Sequence, residues 1–263
     1  MKIITLLTDF GLHDGYPGVM KGVIWNIAPQ AQLVDLCHDI PPQAVMQAAL
    51  LLGRSAPFFP TGTIHLAVVD PGVGTWRRAI AASLGEHFFV GPDNGLLTLL
   101  LDNAENDHQV VELVNLDKPA YWRSAVSKTF HGRDIFAPVA AHLAVGIPLD
   151  QVGSPIHDPI RLDIPRPKRT SHGWSGQVLY IDHFGNLSTN ITASHIGSSG
   201  VVMVTLRDTR ITGMAQTFGD SLAGSLITLI DSFGALSISV VNGSAADFLH
   251  AQVGDPVDVL IDN

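Results

Sequence analysis

A short apolar run, Ile64–Val69, stops abruptly on D-P-G-V-G at residues 70–74, and T-W-R-R follows. An uninterrupted apolar run of this length bounded by turn formers reads as a mostly buried strand. In an open α/β sheet, ligands bind beyond the carboxyl ends of such strands. Gly72 and Gly74 let the backbone turn tightly there or approach a ligand closely. Asp70 stands at the strand mouth, and Arg77 and Arg78 come just after the turn. A carboxylate and a guanidinium can form a bidentate pair. Two readings of this stretch are open: a pair that holds a small polar reactant, or an ion pair that only pins a βα loop.

The flanking sequence sets this strand in a repeating context. Ile3–Leu7 reads as a first buried strand, and the Gly-rich loop after it runs into a helix with Pro17 in its first turn. That helix should stop before Pro29. A second strand follows at Leu33–Leu36, and Ala44–Leu52 has helical character up to Gly53. Ala79–Ser83 and His87–Val90 look like a short strand pair. In G-P-D-N-G-L-L, Asp93 or Asn94 is placed to cap the next helix. Val110–Val114 is another strand, and Thr129–Val145 joins F-H-G-R-D to an apolar helix. Alternating strands and helices predict an α/β N-terminal domain with a largely parallel central sheet.

Residues 154–176 break the pattern. Pro155, Pro159, Pro165 and Pro167, with a basic run at 166–169, read as an extended connection. Beyond it come short strands, Gly176–Ile181, Val201–Leu206, Gly224–Leu229, Ala235–Val241 and Val257–Ile261, separated by Gly, Asn and Asp. This half is expected to be a small all-β, barrel-like domain. The organisation is therefore residues 1–154, an α/β domain; 155–175, a Pro-rich linker; and 176–263, a β-barrel-like domain. No internal repeat stands out.

Composition narrows the function classes. Lys plus Arg is 15 against 24 for Asp plus Glu, a formal net charge of −9, which lacks the basic footprint of a nucleic-acid binder. The single cysteine, Cys37, excludes an intrachain disulfide framework, and its apolar surroundings predict a buried thiol. The first residues turn acidic too soon for a signal peptide, and no apolar stretch reaches membrane-helix length. The expected location is the cytoplasm, with no membrane partner.

Four loops hold more polar chemistry than packing needs. They offer Asp9, His13 and Asp14; Asp70, Arg77 and Arg78; His131, Arg133 and Asp134; and Asp182, His183, Phe184 and Asn186. If the first three follow parallel strands, they meet at one sheet edge. Asp9, Asp14, His38 and Asp39 are possible metal ligands, but they lack any helical H-E-x-x-H spacing. The glycine patterns match neither dinucleotide nor P-loop fingerprints, and no G-x-S-x-G elbow occurs. His65, His142 and His250 sit in apolar surroundings and read as structural or surface histidines.

Five ordered segments, T-D-F-G-x-x-D-x-Y-x-G-x-M-K-G, V-V-D-P-G-V-G-T, G-P-D-N-G-L-L, F-H-G-R-D-I-F-A-P-V-A-A-H-L and I-D-x-F-G-N-L-x-T-N-I, together resemble the S-adenosyl-L-methionine (SAM) hydrolases. These are also called SAM hydroxide adenosyltransferases and are related to fluorinase and chlorinase enzymes. The resemblance implies an α/β domain, a β-barrel domain and a homotrimer with active sites between subunits. It implies conversion of SAM and water to adenosine and L-methionine, with no cofactor and no metal. The water-activating Asp-Arg-His set falls on Asp70, Arg77 and His131, with Arg78 a live substitute for Arg77. Asp9 falls where the ribose hydroxyls are held, and Asp182, Phe184 and Asn186 where the methionine end is gripped. Ser232, Asn242 and Ala245 fall near the adenine, although Asp231, Ser237 and Val241 replace the usual Asn, Glu and a common Arg.

The chemistry suits these residue types. C5′ beside a sulfonium is already electrophilic, and methionine leaves as a neutral thioether. The protein has to position a water, favour its deprotonation and align it behind the C–S bond. A guanidinium stabilises developing hydroxide, and a histidine can relay its proton. A carboxylate at position 70 disfavours a halide pocket, which makes a halide-using enzyme the second expectation. A non-catalytic SAM or adenosine sensor is the third, and it would bind SAM without releasing methionine.

Overall fold

The computed structural model describes residues 2–197 and 202–261. The chain forms two units, Met1–Leu162 and Asp163–Asn263. The first contains β1 (Ile3–Thr8), α1 (Tyr16–Ile27), β2 (Gln32–Cys37), α2 (Val45–Ser55), β3 (Ile64–Val68), β4 (Ala79–Leu84) and β5 (His87–Pro92). Then come α3 (Thr98–Asn106), β6 (Val111–Asn115), α4 (Ala137–Ala144), α5 (Leu149–Val152) and β7 (Ser154–Ile156).

These strands build one sheet in the order β2-β1-β3-β5-β4-β6-β7. Pairings are parallel from β2 to β5 and antiparallel from β5 to β7. The sheet is thus mixed, with the expected parallel pairing through its first four strands and antiparallel pairing beyond them. The cause is local. β4 and β5 are joined through Gly85-Glu86, Gly85 takes φ +62°, and a connection this short forces antiparallel pairing.

Alternation along each strand feeds two cores. Ile64, Leu66 and Val68 of β3 join the apolar cluster that includes Met20 and Ile24 of α1 and Val139 and Ala140 of α4. Ala67 and Val69 join the opposite cluster with Leu52 of α2 and Leu100 of α3. Helices therefore cover both faces, and every residue of β3 is buried. Pro17 sits in the first turn of α1, and the helix ends at Ile27, two residues before Pro29. Asp93 and Asn94 do not cap α3, whose N-cap is Leu97 with no side-chain cap. Asn94 instead donates to the Val69 carbonyl, and its Oδ1 accepts from the Leu96 N–H. Cys37 is half-buried rather than buried, because β2 is an edge strand.

The second unit is an antiparallel sheet in the order β12-β11-β15-β9-β10-β14-β13, with β8 on β9. Its strands are β8 (Lys168–Thr170), β9 (Gly173–Ile181), β10 (Leu187–Thr192), β11 (Val202–Leu206), β12 (Thr209–Thr212), β13 (Leu226–Ile230), β14 (Ala235–Val240) and β15 (Pro256–Ile261). Short helices α6 (Ala193–Ile196) and α7 (Ala245–Leu249) complete it. Val201, read as the start of a strand, lies outside the described residues. Ala215 N–H donates to the Thr228 carbonyl, and the Thr228 hydroxyl donates to the Gly213 carbonyl. These bonds draw the segment after β12 onto β13, so the sheet curls into a nearly closed barrel.

The barrel also contains a repeat that the sequence reading missed. The β9–β10 and β13–β14 hairpins both turn on D-x-F-G-x-L, at residues 182–187 and 231–236. In each, the aspartate Oδ1 accepts backbone N–H bonds from the residues two and four positions later. In each, the glycine takes positive φ, +82° and +78°. Among the described residues, no helix is long and apolar enough to cross a membrane.

Candidate functional site

β1 and β3 are parallel neighbours, with Thr8 in register with Val68. Asp9 and Asp70 therefore leave the same edge of the sheet, as expected for adjacent strand mouths. Asp9 is oriented by the Gln43 N–H, which donates to its Oδ2 at 2.8 Å. The loop after β3 then folds back on itself. Val73 N–H bonds the Asp70 carbonyl, and Thr75 N–H bonds the Gly72 carbonyl. Gly74 takes φ +75°, and a Cβ there would lie 2.3 Å from the Lys128 carbonyl oxygen. Only glycine lets this loop approach the segment that carries His131 so closely.

That close approach assembles Asp70, Arg77 and His131. Arg77 Nε donates to both Asp70 oxygens, at 2.9 and 3.1 Å, and Nη2 also bonds Oδ2. The same Nη2 meets His131 Nδ1 at 2.9 Å. Both members of the ion pair are nearly buried, and the guanidinium carbon lies 5.2 Å from the centre of the Phe136 ring. Arg78 goes elsewhere. It binds Asp93, which is buried, together with Asp158. Of the two adjacent arginines, Arg77 is the one that joins Asp70 and His131.

His131 sits at the N-terminal end of a π-helical turn, Gly132–Phe136, that leads into α4. Such turns recur at functional sites. Asp134, fully buried within that turn, accepts from Arg123, Arg133 and the Ser127 N–H. Burial raises its pKa, but the bonds from Arg133 and Ser127 outweigh it and hold Asp134 at about 2. Asp134 stays ionised and ties down both sides of the His131 loop. Burial lowers the His131 pKa, and the Arg77 charge lowers it further. The imidazole is neutral at pH 7, and its Nδ1 is an acceptor for Arg77.

In the barrel unit, Phe184, Asn186 and Asn242 line one cleft of about 440 Å³ with Phe218, Val240 and Gly243. Phe184 is 72 % exposed. Asn242 holds φ +55°, which turns the chain sharply into that cleft. Asp182 is engaged within its own loop, accepting from the backbone of Phe184 and Asn186 and from the Asn186 side chain. Ala245 has no solvent exposure, packs in the barrel core and does not line this cleft. Ser232 is exposed on the second D-x-F-G loop and does not line this cleft. Phe218 was missed by the sequence reading. An aromatic residue inside the polar turn T-F-G-D is the signal that marks it.

The possible metal ligands Asp9, Asp14, His38 and Asp39 do not form a cluster. His38 uses both ring nitrogens, on Thr8 and Asp35. Among the described residues, no group of three or more His, Cys, Asp or Glu side chains is arranged to hold a metal ion.

Fold and site together define a class: an α/β unit with an Asp–Arg–His set at its strand mouths, joined in one chain to a β-barrel unit with an aromatic and amide cleft. Residues 4–153 match the SAM hydroxide adenosyltransferase N-terminal domain, and residues 176–258 match the C-terminal domain of the same family. The chain belongs to the SAM hydroxide adenosyltransferases. It is 40% identical over 264 residues to a Salinispora tropica protein named (R)-S-adenosyl-L-methionine hydrolase, covering 97% of each chain. It is 26% identical to a Nocardia brasiliensis fluorinase, over 98% of this chain and 97% of the other. Among solved structures, an uncharacterized conserved protein from Thermotoga maritima superposes with a TM-score of 0.90 at 37% identity, covering 98% of this chain and 99% of that one.

Proposed function

We propose that this protein is an enzyme that hydrolyses SAM. The observation that carries the proposal is the arginine held by two N–H bonds on Asp70 and contacting His131, in a loop pair that only Gly74 permits. A water oxygen attacks C5′, the C5′–S bond breaks, and its electron pair stays on sulfur as L-methionine leaves. The water loses one proton and the other product is adenosine. Arg77 stabilises the hydroxide character of the attacking oxygen, and Asp70 fixes the guanidinium plane. His131 is kept neutral by burial and by Arg77, and its single lone pair, on Nδ1, is the one that meets Arg77, so the ring takes the water's proton there as that contact is given up. The sulfonium is its own leaving group, so the reaction as written uses no cofactor and no metal.

Asp9 holds the ribose hydroxyls in this reading. Asp182, Phe184 and Asn186 hold the methionine end, with Asp182 acting through the shape it gives their loop. Ser232, Asn242 and Ala245 stand on the adenine side in this reading. Residues 1–154 carry the water-activating set and Asp9, and 176–263 the methionine-side and adenine-side contacts, with 155–175 as the connection. The family resemblance favours a homotrimer in the cytoplasm, each pocket completed by a neighbouring subunit, with neither nucleic acid nor membrane as partner. Purified protein incubated with SAM, with and without halide, should release adenosine and methionine in equal amounts. A dominant 5′-halogenated nucleoside would make it a halide-using relative, and binding without products a sensor. Mixing inactive His131→Ala and Asp182→Ala chains tests the shared pocket. Co-assembled oligomers should recover activity, and verified mixed oligomers that recover none would place the pocket within one chain.

A further inference from the structure

A line of linked polar groups, running from the exposed Asp35 to the buried His38 and Thr8, lies behind Asp9. Lys21 Nζ, on α1, donates to Asp35 Oδ2 at 2.5 Å, on β2. Asp35 Oδ1 is 2.9 Å from His38 Nε2. His38 Nδ1 is 2.8 Å from the Thr8 hydroxyl, and the Phe10 N–H donates to that hydroxyl at 3.2 Å. Gly11 N–H donates to the His38 carbonyl at 2.8 Å. Thr8 has no solvent exposure and His38 only 4 %.

The chemistry allows one direction of donation in the neutral ring. An ionised carboxylate only accepts, so Nε2 carries the His38 proton. Its Nδ1 is then an acceptor, and the Thr8 hydroxyl must donate to it. The Thr8 lone pair is left to receive the Phe10 N–H. Each group in the chain has one role, and the two backbone ends, Phe10 and Gly11, directly follow Asp9. Gln43 N–H holds the carboxylate itself from the other side.

We propose that His38, polarised by Asp35, is a positioning residue that works through Thr8 to fix the loop presenting Asp9 to the ribose hydroxyls. The proposal rests on the reading of Asp9 given above. The sequence places His38 among metal-ligand candidates, but the structure spends both His38 nitrogens on this chain of hydrogen bonds. Because ribose contacts are made equally in the ground state and the transition state, losing their alignment raises KM and leaves kcat nearly unchanged.

Thr8→Val keeps the shape but removes both the donor to His38 and the acceptor for Phe10. It should raise KM for SAM about tenfold, the size of one buried hydrogen bond left unmade, with kcat within about twofold. Thr8→Ser, which keeps the hydroxyl, should restore KM. In an Asp9→Asn background, Thr8→Val should add almost nothing, because the group it positions is already disabled. A Thr8→Val chain with unchanged KM, or with an effect that adds in full to Asp9→Asn, overturns the proposal while leaving the ribose reading intact. An unchanged KM in Asp9→Asn alone removes the ribose reading, and the proposal with it. Should Thr8→Val fail to fold, Asp35→Ala cuts the same chain from its half-exposed end. It should raise KM about threefold and lose that effect beside Asp9→Asn; an unchanged KM there also overturns the proposal.

Discussion

His65 lies on β3 with no solvent exposure, its Nδ1 on the Thr5 hydroxyl at 2.8 Å and its Nε2 without a hydrogen-bond partner. The His87 ring centre is 5.1 Å away. Burial, and secondarily the neighbouring His87, lower the His65 pKa to about 3 from an ordinary 6.5. The folded chain thus keeps the ring neutral where the unfolded chain protonates it. Stability from this residue is fully present above the unfolded value and is lost as pH falls from 6.5 toward 3. Each pH unit in that window costs about 1.4 kcal/mol for one proton, so going from about pH 7.5 to about pH 4.5 costs about 2–3 kcal/mol. His87 and His142 are also lowered by burial and act in the same direction. His65→Asn isolates the one ring, since asparagine can keep the Thr5 bond and cannot titrate. Urea unfolding at fixed protein concentration should show a lower starting stability for the variant. Its loss per pH unit between about 6 and 4.5 should be shallower by about 1.4 kcal/mol. Stability curves that run parallel to wild type across this range would refute the argument.

The two arginines should separate by kinetics. Arg77→Lys loses the two-pronged hold on Asp70 and the His131 contact, so kcat should fall about a hundredfold with little change in KM. Arg78→Lys weakens the contacts to Asp93 and Asp158 and should lower the melting temperature while leaving kcat within about twofold; equal kinetic losses would contradict the assignment. The acid limb of kcat/KM should reflect His131. Because burial and Arg77 lower its pKa, the limb should lie below about 6.5, with activity lost as pH falls through it. A limb well above that value would exclude a neutral His131 as the group responsible.

Much of this architecture is legible from the chain alone, for identifiable reasons. Buried strands ending on Thr8-Asp9 and Asp70-Pro71 mark the sheet edge, and five ordered motifs carry the family. The choice between Arg77 and Arg78 was not legible, because successive side chains on extended backbone point to opposite sides. Tertiary structure sends one to His131 and the other to Asp93. Asp93 looked like a helix cap because its spacing before an apolar run imitates one. Its buried carboxylate instead receives Arg78 and the Ile160 N–H. The β4–β5 hairpin was legible as a short strand pair, and its tight turn at Gly85 sets the antiparallel direction. The repeated D-x-F-G-x-L loops went unseen because the residues around their few shared positions differ. Their likeness lies in backbone bonds that a sequence does not display.

The central claim is that water supplies the new oxygen at C5′. Incubating the purified enzyme with SAM in oxygen-18-labelled water and analysing the nucleoside by mass spectrometry tests it directly. The account predicts adenosine carrying one labelled oxygen at the 5′ position, released together with L-methionine. Unlabelled adenosine, or a 5′-halogenated nucleoside as the main product when halide is present, would contradict it.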